Sequence, residues 1–529
     1  MRLPLSSTGV YRPPRLKGEA RALQAALFAT GCAGLVAEFV LSTLATYLIG
    51  NAIVQWTLVM STMLFAMGVG SRVSRWFRKD LLDAFILIEF TLSILCAVSA
   101  VLAYGLAGVT SYIAPVIYFQ GFLIGCLIGL EIPLVTRING AYEALRTNIS
   151  QVMENDYYGS LAGGLIFAFV ALPRLGLTYT PIFLGCINFM VAAILLWRFF
   201  GLLARPRLLV AAFAATLALL LALLFFAEPV VRYGEQKKYK DKVIYQAQSV
   251  YQKIVMTRWK EFYWLFINGQ EQFSTFDEEK YHEPLVHPAM KISADPRDVL
   301  ILGGGDGLAL REVLKYKGVR SVTLVDLDPV MTDLAKNHPV LKRINGGAMA
   351  DSRVRVVNTD AARFFKEARE LYGVAIVDLP DPDSIDLMHV YSLDFYGTIK
   401  RHLVRGGVMV CQASSPYFSR DAFLCIGKTV SAAGFSVFSY HNQVPTMGEW
   451  GWVMGVARED ASSEGLKKLF LSVDFSDIPT RFLDGDAMIS MAHFGKGVFD
   501  EKYLAQIKVN TQINPVLYGY YLSGSWGMY

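Results

Sequence analysis

The sequence predicts an α-helical multi-pass membrane bundle followed by a Rossmann-like α/β sheet, with a small antiparallel β-domain between them. Three observations carry this. The chain has 529 residues and is 53% hydrophobic with positive mean hydropathy, too apolar for an ordinary soluble protein. Its long apolar stretches all lie before residue 228. Beyond residue 297 short β-branched runs alternate with helical patterns, and the first run ends in Gly303-Gly304-Gly305-Asp306-Gly307.

Residues 1–22 are basic and contain Pro, and they are expected to be disordered. They are not expected to form a secretory signal, because the apolar stretch after them is too long and has no cleavage site. Seven apolar stretches follow: 23–49, 52–70, 84–107, 113–135, 158–172, 179–197 and 208–227. A crossing needs about 20 apolar residues. Residues 23–227 are therefore expected to be a transmembrane domain, with the fifth stretch short enough to be re-entrant.

Charge bears on orientation. Residues 1–227 hold 15 Lys+Arg against 9 Asp+Glu, whereas the remainder holds 35 against 36. The basic excess is thus a membrane feature, not a nucleic-acid surface. Arg72, Arg75, Arg78, Lys79, Arg137, Arg146, Arg198, Arg205 and Arg207 fall in loops on the side of the N-terminus. The run Arg232, Lys237, Lys238, Lys240 and Lys242 favours a cytoplasmic C-terminal half. Seven full crossings would put that half opposite the basic loops. Glu38, Glu89 and Glu131 lie in or near apolar stretches. They are candidates for a cation or proton path, or for pairs inside the bundle. The six cysteines have neither zinc nor redox spacing, so no metal or disulfide framework is expected.

Residues 228–296 are expected to be the small β-domain, with strands at 243–247, 253–257 and 263–267 and a hairpin turn at Asn268-Gly269. A helix starts within 277–283. Residues 297–458 are expected to form the sheet domain. Strands at 299–302, 321–325, 353–357 and 374–377 lead to Asp306, Asp326, Asp360 and Asp378, and Asp381 follows three residues after the last. Ligands of such sheets bind beyond the strands' carboxyl ends. Gly303 and Gly305 let the chain turn and approach a ligand closely. Asp306 would repel a pyrophosphate and attract an ammonium or a sulfonium. Asp326, about 20 residues past the glycines, can accept both hydroxyls of a ribose, and Asp360 can accept from an adenine amino group. The site suits an adenosine without phosphates. Asp378 and Asp381 remain for a polar, cationic co-substrate. Residues 459–529 are an ordered extension without a catalytic constellation.

Residues 251–458 resemble the spermidine synthases, the polyamine aminopropyltransferases. The matching stretches are Tyr251-Gln252-Lys253-Ile254, Tyr281-His282-Glu283 with Leu285-Val286-His287-Pro288, and the glycine turn with Arg311-Glu312-Val313. Asp378 with Asp381-Pro382, Tyr391-Ser392 with Phe395-Tyr396, and Val444-Pro445-Thr446 complete the set. The membrane half is similar to the family's membrane-attached bacterial branch.

The resemblance implies a class I methyltransferase-like fold and transfer of an aminopropyl group from decarboxylated S-adenosylmethionine to putrescine or a related amine. Methylthioadenosine leaves and no cofactor is used. It also implies that Gln252, Asp326, Asp360 and Ala361 hold the adenosine portion. Tyr281, His282 and Asp306 would hold the aminopropyl and polyamine groups, Asp378 would be the general base, and Asp381 would bind the acceptor amine. It further implies a homodimer in the cell (inner) membrane with a cytoplasmic catalytic domain; its partners are the lipid bilayer and small polyamines. Two departures alter the acceptor side. Leu379-Pro380 stand where the family has two Ser or Thr residues. Met447, followed by Gly448-Glu449-Trp450, stands where a tyrosine is common, so Glu449 and Trp450 become candidate replacements.

Two other functions fit parts of the pattern. A methyltransferase would share the adenosine carboxylates but leave Asp306, Asp378 and Asp381 unexplained as a group. A polyamine transporter or sensor with a non-catalytic binding domain would use the membrane glutamates.

Overall fold

The computed structural model describes residues 14–50, 52–110, 112–139, 145–458 and 462–526. The chain divides into two compact units, Met1–Lys242 and Val243–Tyr529. The first is helical: α1 (Pro14–Ile49), α2 (Ala52–Val73), α3 (Leu81–Ala107), α4 (Ala114–Asn139), α5 (Leu145–Ile166), α6 (Leu172–Phe199) and α7 (Pro206–Lys238). Residues 14–22, expected to be disordered, instead begin α1; the part of that expectation on residues 1–13 lies outside the described residues. Helix α7 continues through Pro229 to Lys238, so the units part at 242/243 rather than at 227/228.

Six helices among the described residues are long and apolar enough to cross a membrane. The fifth of these, Asn148–Leu202, is 55 residues long. As one straight helix it would extend about 80 Å, against a hydrocarbon core of about 30 Å. It breaks at Gly176 (φ 62°, ψ −171°). Val152 before the break and Val191, Leu195 and Phe199 after it pack in one cluster with Leu23, Phe85, Val135 and Leu209. The run therefore turns back on itself, and the stretch 158–172 belongs to a full-length arm rather than a short re-entrant segment.

Side-chain bonds confirm the up-and-down order. At one end Gln24 meets Gln151 (2.6 Å), Arg137 donates to the Ser74 carbonyl (2.7 Å), and the Arg205 N–H donates to Asp83 (2.7 Å). At the other end Tyr118 donates to Gln55 (2.5 Å), Tyr179 to Glu228 (3.1 Å), and Lys238 to the Tyr47 carbonyl (2.9 Å). Small residues permit close crossings. A Cβ at Gly159 would lie 2.0 Å from the Phe28 carbonyl oxygen, and one at Gly129 would lie 2.1 Å from that of Met67. Glu89 and Glu131 are buried in this bundle, and Glu38 is partly so.

The second unit opens with a four-stranded antiparallel sheet, β1 (Lys242–Gln248), β2 (Lys253–Trp259), β3 (Phe262–Ile267) and β4 (Gln270–Ser274). The hairpin at Asn268-Gly269 has φ of 51° and 86°, the pair of positive angles a two-residue turn requires. Strand β4 was not expected; its Gln-Glu-Gln start hides the alternation.

Helix α8 (Glu279–Ile292) leads to the main sheet. The remaining elements are β5 (Asp298–Gly303), α9 (Leu308–Leu314), β6 (Ser321–Asp326), α10 (Pro329–Asn337), α11 (Pro339–Ile344), β7 (Val354–Asn358), α12 (Ala361–Glu367), β8 (Tyr372–Asp378), α13 (Leu393–Arg401), β9 (Leu403–Gln412), α14 (Arg420–Ala432), β10 (Ser436–Val444), β11 (Gly448–Val456) and four short tail helices, α15 (Ser463–Leu471), α16 (Gly485–Met491), α17 (Glu501–Gln506) and α18 (Val516–Leu522). The strand order is β10-β11-β9-β8-β5-β6-β7. The five strands from β9 to β7 are parallel, and β10 and β11 close one edge antiparallel.

The chain runs outward from β5 to β6 and β7, then returns to place β8 on the other side of β5. That reversal opens a crevice above the carboxyl ends of β5 and β8, where the glycine turn and Asp378 meet.

Candidate active site

The glycine turn is shaped by what it touches. Gly303, Gly304 and Gly307 have φ of 82°, 61° and 83°. A Cβ at Gly303 would lie 2.0 Å from the Asp378 carbonyl oxygen, and one at Gly305 would lie 2.4 Å from Asp326 Oδ2. Glycine is thus required by close approach as well as by φ. The turn draws Asp326, Asp378 and Asp306 around one crevice.

Asp378 ends β8. The Tyr281 hydroxyl donates to its Oδ1 at 2.7 Å. Enclosure by protein pushes the Asp378 carboxyl up to about 6, although charged His282 and the Tyr281 hydrogen bond both pull the other way. Tyr281 and His282 lie at the start of α8 and are 6% and 1% exposed, so neither is a surface residue. The Tyr281 ring packs against Trp452 (5.6 Å) and Trp450 (6.3 Å). His282 Nδ1 faces the Glu278 carbonyl (3.0 Å) and carboxylate (3.2 Å). Burial disfavours its charge, but Glu278, Asp306 and Asp378 outweigh it and raise the imidazole to about 9. Glu278 also holds Arg311 (2.8 Å). Its burial is overcome by His282 and Arg311, which hold it at about 2. A charged imidazole thus sits beneath the pocket carboxylates on its own buried counter-ion.

Asp306 Oδ1 accepts from the Leu308 N–H (2.7 Å) where α9 begins, and burial raises its carboxyl. Asp326 Oδ1 accepts from the Asp328 N–H (2.8 Å); enclosure raises it to about 6. Asp360 caps α12 by accepting from the Arg363 N–H (2.8 Å), and its other oxygen meets His389 (3.1 Å). Ala361 is buried in the first turn of α12. Gln252 is half-buried in the tight turn between β1 and β2, where its N–H donates to Ser249 Oγ (2.9 Å).

Asp381 lies three residues past Asp378. Its Oδ1 accepts from Gln412 Nε2 (3.2 Å). Its Oδ2 accepts from the Tyr521 hydroxyl (3.0 Å) and Ser414 Oγ (3.5 Å). Enclosure pushes it up to about 7 against these three donors. Between the two aspartates, Leu379 and Pro380 have no side-chain donors, and the loop is held by its carbonyls. Gln412 donates to Leu379 O (2.8 Å) and Tyr391 to Pro380 O (2.8 Å).

Of the two candidate replacements on the acceptor side, Glu449 pairs with His441 (2.8 Å), whereas Trp450 is 8% exposed beside Tyr281. Thr446 bonds Asp277 through its N–H (2.8 Å) and its hydroxyl (2.9 Å).

Four residues at this site were not anticipated. Gln412 and Ser414 sit at the carboxyl end of β9. The strand-end rule would have found Gln412 had it been applied to amides as well as carboxylates. Glu278 precedes α8 and shows its importance only through His282. Tyr521 belongs to the tail, in which the sequence shows no catalytic constellation, and no local pattern signals it.

Glu283, His287 and Glu312 lie close enough together to hold a metal ion, but the protein already engages them. Glu312 pairs with His287 (2.9 Å), Arg311 (2.8 Å) and Lys315 (2.5 Å). Glu283 accepts the Arg481, Phe482 and Leu483 N–H groups (2.6–3.0 Å), which ties the tail to α8.

Known proteins match this chain closely. Residues 278–468 match the spermine/spermidine synthase domain. The chain is 41% identical to polyamine aminopropyltransferase 2 of Aquifex aeolicus, covering 94% of this chain and 98% of that one. It is 37% identical to the polyamine aminopropyltransferase of Oceanobacillus iheyensis, with 92% and 93% covered. A crystal structure of spermidine synthase in complex with the transition-state analogue AdoDATO is 24% identical, with a TM-score of 0.45 over 50% of this chain and 88% of that one. Identity at this level across both units makes the chain a member of the polyamine aminopropyltransferase family.

Proposed function

We propose that this chain is a membrane-bound aminopropyltransferase that moves the aminopropyl group of decarboxylated S-adenosylmethionine to putrescine or a close relative. The observation that carries the reading is Asp378. Its carboxylate stands at the switch point of the sheet beside the glycine turn, oriented by Tyr281. The donor's sulfonium is already a good leaving group, so the difficult partner is the acceptor. A free amine has a pKa of about 10 and arrives protonated. Asp378 accepts a proton as the amine nitrogen attacks the carbon bonded to sulfur. The C–S bond breaks, its electron pair stays on sulfur, and neutral methylthioadenosine leaves. Charged His282 on Glu278 helps keep Asp378 and Asp306 ionised so that they attract both cations.

Asp381 receives the acceptor ammonium. Tyr281 and Asp306 line the path of the aminopropyl chain. With Nδ1 given to Glu278, His282 acts there more by its charge than as a ligand. Asp326 takes the ribose hydroxyls, and Gln252, Asp360 and Ala361 border the adenine. The methyltransferase alternative leaves the Asp378, Asp381 and Asp306 group without a purpose.

The long apolar helices support a multi-pass location in the cell membrane, with lipid as a partner and a homodimer as the family's habit. We place the catalytic unit in the cytoplasm, with its donor. The basic residues at the end of α7 support this. The turn at Gly176 puts the loops holding Arg75, Arg137 and Arg205 at the bundle end opposite the end of α7, where charge alone would favour the reverse orientation. Labelling of single cysteines at 203 and at 240 in intact cells decides this; labelling from outside at 240 overturns the cytoplasmic placement.

Function is tested by incubating the purified chain with decarboxylated S-adenosylmethionine and putrescine, cadaverine, diaminopropane or spermidine. Methylthioadenosine and product mass are followed, with Asp378→Asn as control. Amine-dependent turnover lost in the variant supports the reading. No turnover with any amine in folded protein overturns it.

A further inference from the structure

The matched domain ends at residue 468, yet a residue 53 positions beyond it reaches the site. We propose that Tyr521 is a positioning and specificity-determining residue for the amine acceptor, and that residues 507–526 form the acceptor-side wall of the pocket. This rests on the reading of Asp381 as the acceptor's anchor.

The geometry around Asp381 is the first support. The Tyr521 hydroxyl donates to Oδ2 at 3.0 Å, with Ser414 on the same oxygen at 3.5 Å and Gln412 on Oδ1 at 3.2 Å. A carboxylate offers about four acceptor positions. Three are filled by neutral donors from two separate stretches of chain, the end of β9 and the tail. What remains is one direction from which an ammonium can approach. Removing one donor frees the carboxylate to turn and admits a second direction.

The second support is the way the segment is fastened. Tyr521 is only 8% exposed, and its ring packs on Trp526 at 4.9 Å. The Trp526 indole N–H donates to the Tyr521 carbonyl (3.0 Å) and its ring stacks on Phe418. The Ser525 N–H donates to the Phe418 carbonyl (2.7 Å). Upstream, Asn510 Nδ2 donates to the Met388 and Tyr391 carbonyls, and its own carbonyl accepts from the Leu393 N–H. The wall is thus pinned to the loop after Asp381 and to the loop after β9, the two stretches that carry the other polar groups of this corner. A tail that only stabilised the fold would not need a hydroxyl aimed at a carboxylate of the pocket.

The titratable groups facing Asp381 are Asp383, Tyr281, Tyr391 and Tyr521. Of these, Tyr521 donates to the carboxylate, and its hydrogen bond favours the ionised form. Loss of the hydroxyl alone therefore raises the pH needed for acceptor binding.

The experiment compares the full-length chain, Tyr521→Phe and Asp381→Asn in steady-state kinetics, varying acceptor and donor separately from pH 6 to 9. For Tyr521→Phe the expected result is an acceptor KM raised about ten-fold, a donor KM within two-fold of the parent, and an acid limb of acceptor kcat/KM moved to higher pH. Discrimination between diamines of different length weakens as well. Unchanged acceptor KM and pH limb in Tyr521→Phe, with acceptor KM raised in Asp381→Asn, overturn this inference alone. Acceptor KM unchanged in Asp381→Asn overturns the role of Asp381 and this inference with it. Donor and acceptor KM rising together in Tyr521→Phe, with no pH shift, mark a structural role and also overturn it.

Discussion

Both units of this chain enclose carboxylates, but they treat them differently. In the second unit Asp378, Asp381, Asp306 and Asp326 each accept a hydrogen bond from an identified donor, and a charged histidine on its own counter-ion stands nearby. In the first unit Glu89 is fully buried and neither of its oxygens finds a hydrogen-bond partner among the described residues; one oxygen of Glu131 is in the same state. Unpaired buried polar atoms are costly. The donors of the second unit fix direction and protonation, which a pocket for two cations needs. Among the described residues nothing comparable orients Glu89, although Asp83 in the same unit accepts from the Ala204 and Arg205 N–H groups.

The largest expected effect comes from Asp378. Asp378→Asn keeps the size of the side chain and removes the base, so kcat falls by about 10²- to 10⁴-fold, read as methylthioadenosine release. The same variant tests the cost of enclosure. A folded value of about 6 lies above the ordinary carboxylate value of about 3.9. The folded state therefore binds more protons between these values and loses relative stability as pH rises through them. Melting temperatures of parent and variant should coincide near pH 4, and the variant should melt higher at pH 7. A variant that melts lower at pH 7 would mean that Asp378 is stabilised rather than strained by its site.

Glu278→Gln breaks the arrangement from below. Between about pH 2 and 9 both Glu278 and His282 are charged in the folded chain. Breaking a buried ion pair by removing one partner costs about 3–5 kcal/mol. His282 then loses its main support and its imidazole drops from about 9, so Asp378 loses part of a nearby positive charge. The acid limb of kcat/KM moves to higher pH, and activity at pH 7 falls about ten-fold or more. An unmoved acid limb would detach His282 from the ionisation of Asp378.

Gly305→Ala acts on one substrate only. The added methyl meets Asp326 Oδ2, so the carboxylate must turn away. The donor KM should rise about ten-fold, as for loss of one hydrogen bond to a charged group, with acceptor KM unchanged. Equal rises in both would show that the turn sets the whole pocket rather than the ribose end.

The positions of Asp326 and Asp378 were legible in the sequence because both stand at strand carboxyl ends, where ligands of a parallel sheet bind. Tyr281 and His282 were visible only as part of a family pattern; their burial depends on Glu278, Trp450 and Trp452, which spacing does not bring together. Asp360 was legible as an acidic strand end, but the structure adds the helix-capping role that such residues often have. Strand β4 was hidden by its polar start. Tyr521 could not be read at all, since its partner lies 140 residues earlier and long-range contacts, such as Trp526 on Phe418 and Asn510 on the Met388 and Tyr391 carbonyls, bring them together. In the membrane unit, apolar length revealed the helices, but it took Val152 and Val191 in one cluster to show that the run between them turns back.

The smallest expected effect tests the other side of the comparison. Glu89→Gln preserves shape and removes a group whose oxygens bind nothing among the described residues. If the first unit only carries the chain in the bilayer, transfer measured in detergent stays within two-fold of the parent. The melting temperature then holds or rises, because burying an amide costs less than burying a carboxylate. Loss of most of the turnover, with donor and acceptor KM altered, would mean that a carboxylate of the bundle communicates with the site. A loss confined to amine uptake into proteoliposomes, with transfer intact, would give Glu89 a cation to bind and make its missing partner a ligand. The parent and this one variant, measured in both assays, therefore separate a passive bundle from one with its own chemistry.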